Sequence, residues 1–180
     1  MQTTKTLCAI IFLASLASGC ASTSGSHKLV TGPLNQSQSS QFTDLAIKVQ
    51  AAANLPTDLL TPTETERMTK RIANNISKES PSRFNHINSS TPSPNTLQAS
   101  VVVKRYDEGS AFARAMLAGL GQMHIDADVI LADTSSNTPL AKYEVSKTFG
   151  WGGIYGAVTS IKDVEEGFCK AVADSILGKD

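Results

Sequence analysis

At 180 residues the chain has room for one domain of ordinary size once a leader and a polar segment are set aside, and a second domain does not fit. Its 16 basic and 16 acidic residues cancel, so bulk charge points to neither a nucleic acid nor a polyanionic substrate. Aromatic residues are 6% of the total, which leaves the core to be built mostly from aliphatic side chains in the second half of the chain.

Residues 1–19 run in the order of a secretory signal: a short start carrying Lys5, an apolar stretch from Leu7 to Leu16, then Ala17, Ser18 and Gly19 before Cys20. The apolar stretch falls short of the roughly 20 residues that cross a bilayer, so a permanent transmembrane helix is the weaker reading. The small residues closing on a cysteine resemble the bacterial lipobox, in which the thiol is lipidated and the chain is then cut before it. Ala17 stands where leucine is commonest, with Leu16 one place earlier. The resemblance implies that Cys20 is an acylated N-terminus and that the lipid is the membrane anchor. Ala21 is not the aspartate that retains such proteins in the inner membrane, which implies the outer membrane, periplasmic side. Cys8 leaves with the leader, so Cys169 has no intramolecular disulfide partner and is expected to be a buried thiol beside a helix stripe.

Residues 20–43 are rich in Ser, Gly, Gln and Thr and are expected to form a flexible tether ahead of a single domain over 44–180. Leu45, Ile47, Val49 and Ala51 alternate with polar residues and predict a half-buried strand. Thr61-Pro62-Thr63-Glu64 is a capping-box helix start, followed by Met68, Ile72 and Ile76 at steps of four. A loop over Ser80–Asn95 contains Pro81, Pro92 and Pro94 and leads to a strand with Leu97, Ala99, Val101 and Val103 on its buried face. Val102 and Tyr106 suggest partial cover on the other face. Ala111–Gly121 is apolar, rich in small residues and predicts a short helix closed by Gly119. Met123–Leu131 and Ala141–Phe149 alternate on either side of a turn at Asp133–Pro139, a two-strand hairpin. Ser160 caps a last helix with Ile161, Val164, Phe168, Val172 and Ile176 on one face and Gly178 at its end. The order strand-helix-strand-strand-strand-helix predicts an α+β fold with a mostly antiparallel sheet of about four strands and two helices on one face.

Gly150-Trp151-Gly152-Gly153-Ile154-Tyr155-Gly156 is the most glycine-dense point of the chain and precedes the last helix. A small anionic ligand at that helix N-terminus is one reading. The dinucleotide spacing fails at Tyr155 and no phosphate-loop lysine follows, so glycines that permit tight backbone packing are the simpler reading. The strand order brings Ala111–Gly121 and Gly150–Gly156 to one end of the sheet. The result is a glycine-rich apolar rim with Phe112, Met116, Leu117, Trp151, Gly152, Gly153 and Tyr155. If exposed, that rim marks a contact with another protein, another copy or lipid; if covered, it is local core. His124, Asp126 and Asp128 share a strand face, a pattern that alternation alone produces on any solvated surface, so no metal and no cofactor is expected. Glu165 and Glu166 are expected to be a solvated face near a helix start. No nucleophile, base and orienting group can be nominated together, and the chain is expected not to be an enzyme.

From Val101 to Ala173 the segments Tyr106-Asp107-Glu108-Gly109-Ser110, Leu117–Gly121, Glu144–Phe149 and Trp151-Gly152-Gly153 resemble a family of uncharacterised bacterial lipoproteins, itself a domain of unknown function. That resemblance implies localisation and architecture and supplies no catalytic residue. The expectation is a non-enzymatic lipoprotein held at the membrane by its N-terminal lipid, with the rim engaging an envelope partner or another copy and no nucleic acid.

Overall fold

A computed structural model of the chain describes residues 23–32, 34, 39–90, 93–117 and 120–179; the leader 1–19, Cys20 and Gly119 lie outside the described residues. Six strands form one sheet: β1 (Ser26–Thr31), β2 (Asp44–Ala51), β3 (His86–Ile87), β4 (Thr96–Asp107), β5 (Met123–Asp133) and β6 (Thr138–Phe149), in the spatial order β1-β6-β5-β4-β2-β3. Two long helices, α1 (Pro62–Glu79) and α4 (Ile161–Leu177), cover one face, and two short ones, α2 (Ala111–Met116) and α3 (Gly153–Val158), sit at one end.

The α+β class stands, with three corrections to the sheet. It has six strands, not about four. It is mixed, because β2 runs parallel to both β4 and β3, while β4, β5, β6 and β1 are antiparallel in turn. The cause of the parallel pair is α1: an 18-residue helix between β2 and β4 carries the chain back across the sheet, so both strands start at the same end. Finally, helices number four among the described residues, since the glycine-rich segment before the last helix forms a turn and a half of its own.

One hydrophobic cluster unites the sheet face with the two long helices. Met68, Ile72 and Ile76 of α1 and Val164, Phe168 and Val172 of α4 are fully enclosed against Leu97, Val101, Ile125 and Val129 of the central strands. Thr61 and Glu64 form the capping box at the start of α1, as their spacing predicts.

Part of the segment expected to be a tether is strand β1. It pairs with β6 from Ser26 opposite Ser146 to Thr31 opposite Lys142. An edge strand pairs through its backbone and is mostly exposed, so it lacks the apolar alternation by which the other strands are recognised. Its approach is pinned by further contacts: Gly25 N–H donates to Gly167 O at 2.9 Å, Lys147 Nζ donates to Thr23 Oγ1 at 3.0 Å, and His27 Nε2 lies 2.7 Å from Lys179 O. A Cβ on Gly25 would stand 2.5 Å from Ser146 O, so only glycine lets the chain run this close to β6.

A bulge between Val103 and Arg105 changes the phase of β4. Two consecutive exposed residues, Lys104 and Arg105, then return Tyr106 to the helix-covered face, where it is buried. Val102 faces the opposite side, but Tyr106 does not join it.

Candidate docking rim

β4, β5 and β6 all reach the same end of the sheet, where Asp107 pairs with His124 and Met123 with Phe149. From that end hang α2 and α3, which pack on one another. Ser110 caps α2 by accepting from Ala113 N–H at 3.2 Å, and the helix stops at Leu117. Helix α3 starts after Gly152. Tyr155 stacks edge-on against Phe149 and Trp151, with ring centroids 5.7 and 5.9 Å apart. Gly156 sits so close to Trp151 that a Cβ there would lie 2.0 Å from the Trp151 carbonyl oxygen, which is why this helical position is a glycine.

Arg114 holds the two segments together and was not singled out as a site residue from sequence. Its guanidinium is buried, and it donates to Gly156 O at 2.9 Å, Glu108 O at 2.9 Å, Gly121 O at 2.7 Å and Thr159 O at 3.4 Å. Four carbonyls from three separate segments therefore converge on one cation. The available signal was that Arg114 is the single charge in an otherwise apolar stretch.

The rim is exposed. Ile154 is 86% exposed, Phe112 73%, Val158 72% and Met116 68%, and Leu117, Leu120, Tyr155 and Trp151 are also exposed. Elsewhere among the described residues, the exposed large apolar side chains are Leu29, Val30 and Leu59. The predicted contact residues Phe112, Met116, Leu117, Trp151 and Tyr155 thus come together on one surface with Gly152 and Gly153, and Leu120, Ile154 and Val158 join them. No periodicity marks them in the sequence, since Ile154 and Val158 sit on a helix of only six residues and Leu120 on the loop after α2.

The other candidate constellations resolve into local partnerships. His124 Nδ1 lies 3.0 Å from Thr148 Oγ1, Asp126 accepts from Ser146 Oγ at 2.5 Å, and Asp128 pairs with Lys104 and Lys142 at 2.6 and 2.9 Å. Burial works to raise the Asp128 carboxyl, and the two lysines outweigh it and hold it below its ordinary range. Among the described residues no group of three His, Cys, Asp or Glu side chains is placed to hold a metal ion. At the start of α4, the Asp163 carboxylate accepts from Ser160 N–H and Ser160 Oγ, both at 2.8 Å, and these bonds hold it below its ordinary range. The N-terminus of α4, the candidate anion site, is therefore capped by the chain's own carboxylate.

Glu165 is not solvated as expected; it is fully buried, whereas Glu166 stays exposed. It accepts from Arg67 Nε at 2.8 Å, Arg67 Nη2 at 2.6 Å and Tyr106 Oη at 2.7 Å, with Arg71 Nη1 at 3.3 Å. Burial, then the bond to Glu165, pushes the Tyr106 hydroxyl well above its ordinary range. This network ties α1, α4 and β4 together. Cys169 is fully buried as expected, and burial pushes its thiol up.

Residues 50–153 match the model of a family described as a domain of unknown function, DUF4410. The match begins well before Val101, where the sequence resemblance starts, and ends within the glycine-rich rim. No curated protein matches the chain. Among solved structures, the PelC dodecamer from Paraburkholderia phytofirmans is 15% identical, covers 87% of this chain and 99% of that one, and superposes with a TM-score of 0.53. A leucine-to-methionine variant of that protein is 12% identical over 84% of this chain and 96% of its own, with a TM-score of 0.54. At these identities the likeness is one of fold.

Proposed function

This chain belongs to the DUF4410 family, a domain of unknown function, and from its geometry we propose that it is a lipid-anchored envelope protein that acts by docking rather than by catalysis. Cys20 carries the lipid at the outer membrane, on the periplasmic side, and the rim of α2 and α3 is the docking surface. The observation that carries this reading is the exposed cluster around Phe112, Met116, Ile154 and Val158, held rigid from beneath by Arg114. A folded domain that spends a buried cation and four carbonyls on presenting apolar side chains to water presents them to something. In support of a non-catalytic role, the Glu165 carboxylate and the Cys169 thiol are both fully enclosed.

The test is membrane fractionation of cells producing the natural chain or Cys20→Ala, followed by crosslinking of rim variants in intact cells. Cys20→Ala is expected to move the protein from the membrane to the soluble periplasm. Trp151→Ala with Leu117→Glu is expected to remove the rim's associations while the fold stands. Unchanged associations in that variant refute the docking role.

A second reading concerns copies of the same chain. β1 leaves one edge of the sheet open, with Leu29 and Val30 exposed along it, and two solved structures similar in fold are described as PelC dodecamers. Association of copies through that edge leaves the rim free. Native mass measurement of the chain in detergent, against Val30→Lys, distinguishes a ring from a monomer.

A further inference from the structure

We propose that the rim of α2 and α3 rests in the lipid surface itself, so that the bilayer, not another protein, covers Phe112, Met116, Ile154 and Val158. This rests on the reading of Cys20 as the acylated N-terminus.

The first observation is where the chain enters the fold. β1 is antiparallel to β6, with Ser26 opposite Ser146 and Thr31 opposite Lys142, so β1 begins at the end of the sheet where the rim hangs. Upstream of β1 the chain runs along α4 beside β6, with Gly25 bonded to Gly167, Ser24 to Asp174 and Thr23 to the tip of the Lys147 side chain. From Thr23 back to Cys20 is three peptide units, at most about 11 Å. From Lys147 to Phe149, at the end of β6, is two strand steps, about 7 Å. A long tether would let the domain face any direction; three residues do not. Lipid chains inserted at Cys20 bring the rim end of the sheet to the headgroups and leave the turn at 134–137, at the opposite end, pointing into the periplasm.

The second observation is the chemistry of the surface. Across 110–121 and 149–160 the only charged residue is Arg114, and it is buried with its donors given to carbonyls. No exposed charge has to be moved out of water when these segments meet lipid. Trp151 and Tyr155 are only about half as exposed as Ile154, and they set an amphipathic aromatic pair behind the aliphatic tips. Aromatic rings with a polar handle favour the boundary between headgroups and hydrocarbon, and aliphatic tips favour the hydrocarbon beyond it.

Trp151 is the only tryptophan in the chain and reports directly on the rim. The experiment uses the acylated chain in phosphatidylcholine vesicles, compared with matching vesicles whose acyl chains are brominated, and a mass measurement of the acyl groups on Cys20. Trp151 emission is expected to shift to shorter wavelength and to be quenched by the brominated chains. Phe112→Glu with Ile154→Glu, both at exposed positions that leave the fold intact, is expected to keep the chain on the vesicle and abolish the quenching. An acylated chain whose Trp151 emission is unquenched and unshifted overturns the proposal. Emission shifted without bromine quenching shows that protein covers the rim, which overturns the lipid contact and leaves the docking reading standing. A Cys20 without acyl groups overturns both.

Discussion

Glu165→Gln is the substitution with the largest expected effect away from the rim. The native carboxylate is fully enclosed and receives four donors: two from Arg67, one from Tyr106 and one from Arg71. Glutamine keeps one oxygen and turns the other position into an NH2 group, which then faces a donor. Removing one partner of a buried ion pair costs about 3–5 kcal/mol, and the lower end applies here. The Arg67 and Arg71 side chains are 22% and 32% exposed, so water can take over part of what Glu165 supplied. With a urea slope of about 2 kcal/mol per molar, a loss of about 3 kcal/mol lowers the unfolding midpoint by about 1.5 M. Far-UV circular dichroism in urea measures this without relying on the rim. Tyr106→Phe removes one hydrogen bond to a charged group and is expected to cost less, about 1.5 kcal/mol. Replacing Glu165 and Arg67 together by Met leaves one cation, Arg71, that already reaches solvent, so the pair is expected to cost less than Glu165→Gln alone. A midpoint for Glu165→Gln within about 0.3 M of the parent refutes the view that this network holds α1 and α4 to β4.

Arg114→Met strips the donors from four carbonyls and is expected to cost about 2 kcal/mol and to loosen the rim, read as a fall in Trp151 fluorescence anisotropy; unchanged anisotropy counts against the Arg114 staple. Glu79 is held at about 2, below its ordinary 4.5, by hydrogen bonds first from Lys170 and then from Lys179. Because the folded value is depressed, its stabilisation is complete above about pH 4.5 and is lost as pH falls toward about 2; with both lysines well exposed it amounts to under about 1 kcal/mol. The stability gap between the natural chain and Glu79→Gln is therefore expected to close across that window, and a constant gap in acid titration contradicts the assignment. Cys169, enclosed and with its thiol pushed up, is expected to resist thiol reagents in the folded chain and react on unfolding; labelling of the folded chain counts against its burial.

Most of the core was legible because it obeys local periodicity. The steps of four at Met68, Ile72 and Ile76 and the alternations of β2, β4, β5 and β6 all point inward as expected. The rim was legible as a place, since two apolar glycine-rich segments had to meet where three strands end. Its exposure was not, because an apolar segment reads alike whether another element covers it or nothing does. Three features stayed hidden for three different reasons. Strand β1 is an edge, recognised by backbone pairing and not by pattern. Tyr106 is turned inward by a bulge, a one-residue change of phase that no alternation announces. Glu165 lies on the boundary of its helix stripe, and its burial is made tolerable by donors far away in sequence, Arg67 and Arg71 on α1 and Tyr106 on β4.

The sequence by itself determined the two long helices and the composition of the rim, both of which are written in contiguous residues. The tertiary structure alone decided that residues 26–31, inside what reads as a tether, join the sheet as its edge strand beside β6. That decision depends on which edge of the sheet is left unpaired, a property of the assembled β6 and not of residues 20–43.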